Sequence, residues 1–426
     1  MHYNTYRIVT SALSPIITIW LRIRQLRGKE SRERFNERFG YAKITRPKGM
    51  LLWLHAASVG EANSVLFLIE QIKSRFSDIN ILLTTGTVTS AKLIEKRAIP
   101  GVIHQFVPVD TPEATNRFLK HFRPDIGFWV ESELWPNLVI NAKARGCLMF
   151  IINGRMSVKS YNSWQKFALM IYQMLNCFEL VFAQSENDGQ RFRALGAREV
   201  RCVGNLKYDA AALPCNESDL FSLQQQIGIR QIWLAASTHH NEEEQVIKAH
   251  NLVAAKHLDL LTIIAPRHPQ RGEEIAKMTA RSGKTALRSH GDKITADTKF
   301  YIADTLGELG LFYRLSEIVF MGGSLVTHGG QNPLEPARLR CSIITGPHTE
   351  NFSVIYKEME NLSICVRVND ATELATKVNS LMQDSDTLTK MQMQTREWLR
   401  GKNGAANKIV DIVAPIFTPI SLEGKI

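Results

Sequence analysis

Short apolar runs alternate with longer helical patterns from Met50 onward, and this alternation constrains the fold more than any other feature. Apolar runs of about four to eight residues, separated by helical stretches, are typical of buried parallel strands. Seven such runs occur before residue 206: LLWLHA, INILLTT, GVIHQFVPV, DIGFWVE, LMFIING, LVFAQS and EVRCVGN. They predict a doubly wound, mostly parallel α/β sheet.

A second series of runs predicts a second sheet of the same kind: IWLAAST, LLTIIAPRHP, KFYIAD, IVFMGGS and CSIITGP. Pro214, Asn216 and Ser218 break the pattern between the two series. The predicted division is an N-terminal segment (1–48), a first Rossmann-like domain (49–212), a linker (213–229) and a second Rossmann-like domain (230–426), whose last helix can return to the first domain. Two such domains are expected to face a cleft lined by strand ends.

The positive charge of the chain is concentrated at its N-terminus. The first 48 residues contain eleven Lys and Arg against three Glu, a net charge of +8, whereas the whole chain carries +11. The rest of the chain is therefore nearly balanced, which argues against a nucleic-acid-binding protein. The six cysteines form no CxxC or Cys/His cluster, so neither a disulfide framework nor a zinc site is expected and a cytosolic setting fits best.

An uncharged run at residues 8–21, IVTSALSPIITIWL, is followed at once by the basic cluster RIRQLRGK. A helix needs about 20 apolar residues to span a bilayer, so this run is short for a span. Trp20 suits the headgroup level, and the basic residues suit an anionic cytoplasmic leaflet. We expect an uncleaved membrane-anchor helix that either spans the bilayer or lies in its interface. The alternative is a core helix with a solvated basic face.

The stretch HAASVGE leads from the first predicted strand through Ser58 and Gly60 to Glu61, at the start of a predicted helix. An acidic residue in the first turn stabilises a helix by about 0.3–1 kcal/mol, which is one explanation of Glu61. The other is functional, because open α/β folds build their sites where the chain leaves the carboxyl end of a strand. The local sequence leaves both explanations open.

Two further charged groups follow predicted strands of the first domain. Glu131 and Glu133 in VESELWPNL are two residues apart, so they share one face if the strand continues. Lys207 in VGNLKYD stands at the end of the last predicted strand. Neighbouring carboxylates after a strand can act as general acids or bases, although a solvated edge is the alternative.

The glycine-rich stretch VFMGGSLVTHGGQNPLEPA follows a strand of the second series. Asn332 is suited to cap a helix that begins at Pro333, with Glu335 at capping-box spacing. The free N–H groups of such a helix start are suited to a phosphate. Arg267 in IIAPRHP is placed to meet a phosphate too. The alternative is that Asn332 and Glu335 only cap the helix and that Arg267 is only solvated.

Several enzyme classes lack their motifs in this chain. There is no GxSxG nucleophile elbow, no GxxxxGK[ST] phosphate loop and no GxGxxG after the first strand. His239 and His240 lack HExxH spacing, so a metal site is not expected.

Seven stretches together resemble the 3-deoxy-D-manno-octulosonic acid (Kdo) transferases of lipopolysaccharide synthesis: NERFGY, HAASVGE, ESELWPN, VGNLKYD, APRHP, GGSLVTHGGQNPLEPA and GPHTENF. The resemblance implies a two-domain GT-B glycosyltransferase. It also implies inverting transfer of Kdo from CMP-Kdo to a lipid A precursor, lipid IVA, at the cytoplasmic face of the inner membrane. The partners it implies are the donor, the lipid and the anionic membrane surface, with no nucleic acid, metal or other cofactor.

The resemblance also assigns roles to individual residues. The catalytic residues it implies are Glu61 as the base, with Glu131, Glu133 and Lys207 as partners, and it leaves open which glutamate is essential. The implied CMP contacts are Arg267, His268, Gly322, Gly323, Ser324, Asn332 and Glu335, and Ser58 and Gly60 are implied on the acceptor side. In place of the family's usual Pro and His, this chain has Thr327 and Gln331.

Two other functions compete with Kdo transfer. A sugar-nucleotide epimerase of the same fold would need no anchor and no lipid. A non-catalytic membrane scaffold would need no glycine-rich loop opposite an acidic one. For Glu61 as a base, we expect the helix start to lower its pKa and desolvation on acceptor binding to raise it again.

Overall fold

The computed structural model describes residues 2–417 and divides the chain into two compact units. Of the described residues, 2–210 and 402–417 form the first unit, and Ala211–Gly401 form the second. Residues 418–426, which the sequence assigned to the second domain, lie outside the described part. Residues 402–417 thus group with the first unit and not with the second.

The first unit contains a seven-stranded parallel sheet in the order β3-β2-β1-β4-β5-β6-β7. Its strands are β1 (Leu51–His55), β2 (Asn80–Thr85), β3 (Val102–Phe106), β4 (Ile126–Val130), β5 (Leu148–Gly154), β6 (Phe178–Ala183) and β7 (Val200–Cys202). Six of the strands fall within a predicted run, and β6 begins two residues before its run, LVFAQS. The parallel sheet predicted from these runs is therefore confirmed.

Helices cover both faces of this sheet, which is why most residues of its central strands are buried. The helices are α1 (Tyr3–Ala12), α2 (Ser14–Leu26), α3 (Val59–Arg75), α4 (Val88–Arg97), α5 (Pro112–Phe122), α6 (Pro136–Ala144), α7 (Val158–Gln165), α8 (Ala168–Leu175), α9 (Glu186–Ala194) and α18 (Ala405–Phe417). On one face, Ile409 and Val413 of α18 join the core formed by Leu52 and Leu54. On the other face, Trp53 forms an edge-to-face pair with Trp129, at 4.5 Å between ring centroids.

The second unit contains another seven-stranded parallel sheet, in the order β10-β11-β9-β8-β12-β13-β14. Its strands are β8 (Ile232–Thr238), β9 (Leu261–Pro266), β10 (Lys284–Leu287), β11 (Thr298–Ile302), β12 (Ile318–Met321), β13 (Ser342–Thr345) and β14 (Cys365–Arg367). Five of them were predicted. The two that were missed, β10 and β14, are the edge strands of this sheet.

The helices of the second unit are α10 (Glu217–Ile227), α11 (Glu243–Ala254), α12 (Gly272–Thr279), α13 (Leu309–Leu315), α14 (Leu334–Arg338), α15 (Ser353–Asn361), α16 (Ala371–Gln383) and α17 (Ser385–Lys402). Residues 213–229, predicted as a linker, contain α10, which packs against α13. Asn216 caps α10 by accepting the N–H groups of Ser218 and Asp219, at 3.0 and 3.3 Å. The polar residues interpreted as a linker signal thus begin a helix.

The N-terminal segment packs on the first unit. Tyr6 Oη donates to Asp110 Oδ2 at 2.9 Å, and Glu37 Oε2 accepts the N–H of Phe106 at 2.7 Å. Phe35 is buried as well. Residues 1–48 therefore include contacts that belong to the domain itself. Within residues 2–417, no helix combines the length and the apolar character needed to cross a membrane.

Candidate active site

The first sheet reverses its strand order between β1 and β4, which are neighbours although two other strands separate them along the chain. In open α/β sheets, ligands bind beyond the carboxyl ends of the strands at such a switch point. Glu61 follows β1, and Glu131 and Glu133 follow β4. The tertiary structure thus places all three predicted carboxylates beyond the same ends of two adjacent strands.

Glu61 takes part in the cap of α3. The Ser58 Oγ accepts the N–H of Glu61 at 3.2 Å and donates its own proton to Glu61 Oε1 at 2.8 Å. The other carboxylate oxygen accepts the N–H of Ala57 at 2.9 Å. A Cβ added at Gly60 would lie 3.9 Å from Ser58 Oγ, which is an ordinary van der Waals contact. The capping explanation of Glu61 therefore holds.

The same carboxylate is also electrostatically perturbed. Burial raises the pKa of Glu61 to about 7; the bonds from Ser58 and Ala57 oppose this rise, and the charges of Glu131 and Glu133 add to it. We expected the helix start to keep this pKa low until an acceptor covers the site, but burial within the protein already outweighs the cap. A carboxyl group with a pKa near neutrality is suited to general-base catalysis.

The backbone turns between Glu131 and Glu133. Strand β4 ends at Val130, and Glu131 has a left-handed conformation with φ of 57°. The strand does not continue through Glu133, so the condition under which the two carboxylates would share one strand face is not met. Glu133 Oε2 accepts the Nε1–H of Trp135 at 3.2 Å. Burial raises the pKa of Glu133, the bond from Trp135 opposes this, and the charge of Glu131 adds to it.

Lys207 lies in a 3₁₀ helix, Leu206–Tyr208, rather than at the end of β7. The buried Asn153, with φ of 52°, holds this turn because its Oδ1 accepts the N–H of Leu206 at 2.9 Å. The Nζ of Lys207 is 3.3 Å from Glu131 Oε1. The structure thus brings the four predicted catalytic side chains into one cluster of three carboxylates and an ammonium group.

The second sheet has its own switch point between β8 and β12. His239 follows β8, Arg267 and His268 follow β9, and Gly322 follows β12. The N–H of Arg267 donates to the carbonyl of Thr238 at 2.9 Å, while its side chain is exposed and makes no hydrogen bond or ion pair with the described residues. This guanidinium is available to an anion.

Three imidazoles meet near these strand ends. The ring of His239 stacks on that of His328 at 4.2 Å between centroids, and His268 approaches it edge-on at 5.9 Å. Gln331 Nε2 donates to His239 Nε2 at 3.1 Å, which requires an unprotonated ring nitrogen. Burial and the neighbouring His328, His268 and Arg267 lower the pKa of His239 to about 4. We call His239, His268, His328 and Arg267 the imidazole cluster, an environment that favours a bound anion.

The glycine turn does not offer its N–H groups to a ligand. The N–H of Gly322 donates to the Ala236 carbonyl, at 2.8 Å. Those of Gly323 and Ser324 donate to the carboxylate of Glu242, at 2.6 and 3.0 Å. These three N–H groups are therefore already bound inside the protein, and the implied contact of Gly322, Gly323 and Ser324 with CMP stays a prediction.

The helix after Asn332 begins one residue later than predicted and is short. Helix α14 begins at Leu334 and has only five residues, so its dipole is small. Asn332 Oδ1 accepts the N–H of Leu334 at 3.1 Å, and Asn332 Nδ2 donates to Glu335 Oε1 at 3.3 Å. Burial raises the pKa of Glu335, and Asn332, Arg338 and Arg267 oppose this. Asn332 and Glu335 thus form one polar pair beside the imidazole cluster.

Sequence reasoning missed three residues of this region. His239 was considered only as a metal ligand, and His328 and Glu242 were not considered as site residues. Their signal was weak: His239 follows a strand, and Glu242 lies among acidic residues that resemble a solvated helix start. Within residues 2–417, no group of three or more His, Cys, Asp or Glu side chains is arranged to hold a metal ion.

Comparison with known proteins gives consistent results. A family model described as 3-deoxy-D-manno-octulosonic-acid transferase (kdotransferase) matches residues 33–210. The chain is 32% identical to a 3-deoxy-D-manno-octulosonic acid transferase of Rickettsia bellii, over 97% of this chain and 99% of that protein. It is 31% identical to the transferase of the same name from Haemophilus influenzae, over 94% and 95% of the two chains.

A glycosyltransferase from Rickettsia africae has a similar structure, with a TM-score of 0.56 and 14% identity over 88% of this chain and all of that one. This similarity concerns the fold alone: two parallel-sheet α/β domains that resemble GT-B glycosyltransferases. The sequence identity extends over nearly the whole length of the relatives. This protein therefore belongs to the family of 3-deoxy-D-manno-octulosonic acid (Kdo) transferases.

Proposed function

We propose that this protein transfers Kdo from CMP-Kdo to a lipid A precursor, lipid IVA, with inversion at the anomeric carbon, as a step of lipopolysaccharide synthesis. Family membership supports the reaction class. The observation that carries the proposal is the Glu61 carboxyl group, whose pKa is raised to about 7 at the switch point of the first sheet. An acceptor hydroxyl needs such a base to become a nucleophile.

In this reaction, Glu61 takes the proton from the attacking hydroxyl group of the lipid. A bond forms between that oxygen and the anomeric carbon of Kdo, while the bond from this carbon to the CMP phosphate oxygen breaks. CMP then leaves as the second product. Glu131 and Glu133 raise the pKa of Glu61, and Lys207 balances the charge of Glu131. These residues support the base and need not contact the sugar.

On the donor side, Arg267 and His268 bind the phosphate of CMP, and Glu335 accepts ribose hydroxyl groups. The exposed guanidinium of Arg267 and the edge-on approach of His268 to His239 support this assignment. A guanidinium binds phosphate through charge-assisted hydrogen bonds, which are about twice as strong as neutral ones. The proposed reaction uses no metal, because the leaving group carries a single phosphate that the guanidinium of Arg267 can stabilise.

The N-terminal helices bind the anionic cytoplasmic surface of the inner membrane. Supporting this, eight large apolar side chains of α1, α2 and the residue between them are exposed: Ile8, Val9, Leu13, Ile16, Ile19, Trp20, Ile23 and Leu26. Basic residues follow directly, among them Arg22, Arg24 and Arg27. Apolar burial combined with attraction to anionic lipids is what holds interfacial helices on a bilayer. Such attachment would hold the enzyme at the membrane that contains its proposed lipid acceptor.

The test is to incubate the purified protein with CMP-Kdo and the lipid A precursor and to measure CMP release. Release that depends on the lipid, together with a lipid product heavier by one or more Kdo units, is expected. The number of units is read from the product mass. Interconversion of a sugar nucleotide without lipid would favour an epimerase, and no turnover with either substrate would favour a scaffold. Either result would contradict the proposal.

A further inference from the structure

Within the described part of the chain, the carboxylate of Glu242 is buried and accepts hydrogen bonds only from backbone N–H groups. It is fully buried in the turn between β8 and α11, directly before that helix. Its Oε2 accepts the N–H groups of His239 and Gly323 at 3.1 and 2.6 Å, and its Oε1 accepts those of Ser324 and Leu325 at 3.0 and 2.9 Å. One carboxylate thus satisfies four backbone donors from two segments of the chain.

These two segments come from the two strands that form the switch point of the second sheet. His239 follows β8, and Gly323 to Leu325 follow β12. The segments are so close that a side chain at Gly322 would lie 2.5 Å from the carbonyl oxygen of Ser237. Burial raises the pKa of Glu242, and the four N–H groups oppose that rise. An acceptor-only carboxylate suits four donors, because neither oxygen needs to carry a proton.

The consequence for His239 is geometric. Gly323 has φ of 67°, and a Cβ at this position would lie 3.0 Å from the His239 ring and 3.3 Å from Gln331 Nε2. The imidazole therefore rests on the bare backbone of the glycine turn. Because Glu242 binds the turn and the His239 N–H together, it sets the distance between the turn and the ring. The ring in turn stacks on His328 at 4.2 Å.

We propose that Glu242 is a positioning residue of the donor site, which holds the glycine turn and the imidazole of His239 in the arrangement that receives the nucleotide phosphate. The inference rests on the proposed function, since it assumes that the imidazole cluster binds the phosphate of CMP. Glu242 does not contact the ligand. It acts through His239, whose ring it fixes beside Arg267 and His268.

The test is the variant Glu242→Gln, which preserves size. An amide has one acceptor oxygen, so either Gly323 and His239 or Ser324 and Leu325 must face its NH₂ group. Loss of two such hydrogen bonds is expected to weaken CMP binding, measured by calorimetry, at least about tenfold. The KM for CMP-Kdo should rise by more than kcat falls. The ¹⁵N resonances of the His239 ring should shift in the CMP-free protein.

A matched control is available in the neighbouring residue. Glu243 is equally buried, but its carboxylate binds Thr238 and Arg271 and not the glycine turn. Glu243→Gln should lower thermal stability yet leave CMP affinity and the His239 resonances unchanged. If Glu242→Gln does not fold, Glu242→Asp is used. This variant keeps the charge on a shorter side chain that holds the turn less well, so the protein should bind CMP with intermediate affinity.

The outcomes separate this inference from the proposed function. Wild-type affinity for CMP in the folded Glu242 variant would overturn the inference alone. Equal losses of affinity in the Glu242 and Glu243 variants would overturn it too, because they would indicate general loosening of the domain. Failure of the wild-type protein to bind CMP would overturn the proposed function and the inference with it.

Discussion

Lys207 and Glu131 lie 76 positions apart in the chain, and the Nζ of one donates to the carboxylate of the other at 3.3 Å. Glu131 in turn raises the pKa of Glu61. The ammonium group and the base are therefore coupled through one carboxylate. This coupling makes the acidic cluster testable as a unit rather than residue by residue.

The coupling can be measured with a double-mutant cycle. Lys207→Met and Glu131→Gln should each lower kcat/KM at least about tenfold, because each leaves a partly buried charge without this partner. The double variant should lose less than the product of the two effects, with a coupling of about 0.5–3 kcal/mol. Strictly multiplicative losses would show that the pair does not act together.

Removing the base should nearly abolish transfer. Glu61→Gln preserves the shape of the side chain, and a glutamine can still serve in a capping box, so α3 should remain intact. Turnover should fall at least about a hundredfold, because the general base is lost. Circular dichroism and thermal unfolding provide the control for folding. Near-normal turnover in the folded variant would limit Glu61 to its capping role.

The raised pKa of Glu61 predicts a pH profile. Only the ionised carboxylate can accept a proton, so kcat/KM should rise with pH and level off above about 7, the folded-state pKa. This rising limb should be missing from the residual activity of Glu61→Gln. A kcat/KM that does not change between about pH 5 and about pH 9 would contradict the assignment of Glu61 as the base.

The same shift affects stability with the opposite sign. The folded protein holds the proton more tightly than the unfolded chain, in which the pKa of Glu61 is near its ordinary value of 4.5. The contribution of this proton to the free energy of unfolding is fully present below pH 4.5. It decreases as the pH rises from there and is lost as the pH passes about 7. Unfolding of wild type and Glu61→Gln should therefore differ in pH dependence over this interval.

The donor residues can be tested by CMP binding without any lipid. Arg267→Ala should weaken CMP binding about tenfold or more, because a charge-assisted contact to phosphate is worth about 1.5–3 kcal/mol. Glu335→Ala should also weaken it, through loss of contacts to the ribose. Arg281, another exposed arginine of the second unit, provides the control, and Arg281→Ala should bind CMP normally. Unchanged affinity in both test variants would refute the donor assignment.

Membrane association is tested best by point changes, because residues 1–48 also pack on the first unit. Ile16, Ile19 and Trp20 are 62%, 61% and 52% exposed, so their replacement by Ser should not disturb the fold. The triple variant should lose sedimentation with vesicles that contain anionic lipid. Ile229→Ser with Leu258→Ser, at exposed sites of the second unit, is the control. Vesicle binding equal to wild type would exclude this surface.

A truncated chain that begins near Pro47 should be less stable than the full-length protein, unlike the triple variant. It would lose the buried Phe35 and the contact of Glu37 with the N–H of Phe106. Its thermal unfolding midpoint should therefore fall, while that of the triple variant stays unchanged. Equal midpoints for truncated and full-length protein would show that the segment adds no stability to the domain.

The sequence by itself determined the architecture and most of the proposed acidic site. Short apolar runs separated by helical stretches predicted all seven strands of the first sheet, because parallel strands buried on both faces leave a strong local pattern. The position of Glu61, Glu131 and Lys207 after predicted strands indicated that they lie near one edge of the sheet. The edge strands β10 and β14 of the second sheet were not recognised.

Only the tertiary structure decided which polar groups of the proposed site already have hydrogen-bond partners within the protein and which are buried. The glycines at 322 and 323 suggested a turn that comes close to a ligand, yet the N–H of Gly323 donates to Glu242, a residue 81 positions away. Likewise, the pKa of Glu61 depends on burial and on carboxylates about 70 residues distant, which no local pattern encodes. Hydrogen-bond partners and desolvation are set by contacts between distant segments. The residue types at the site could thus be read from the sequence, whereas their chemical state could not.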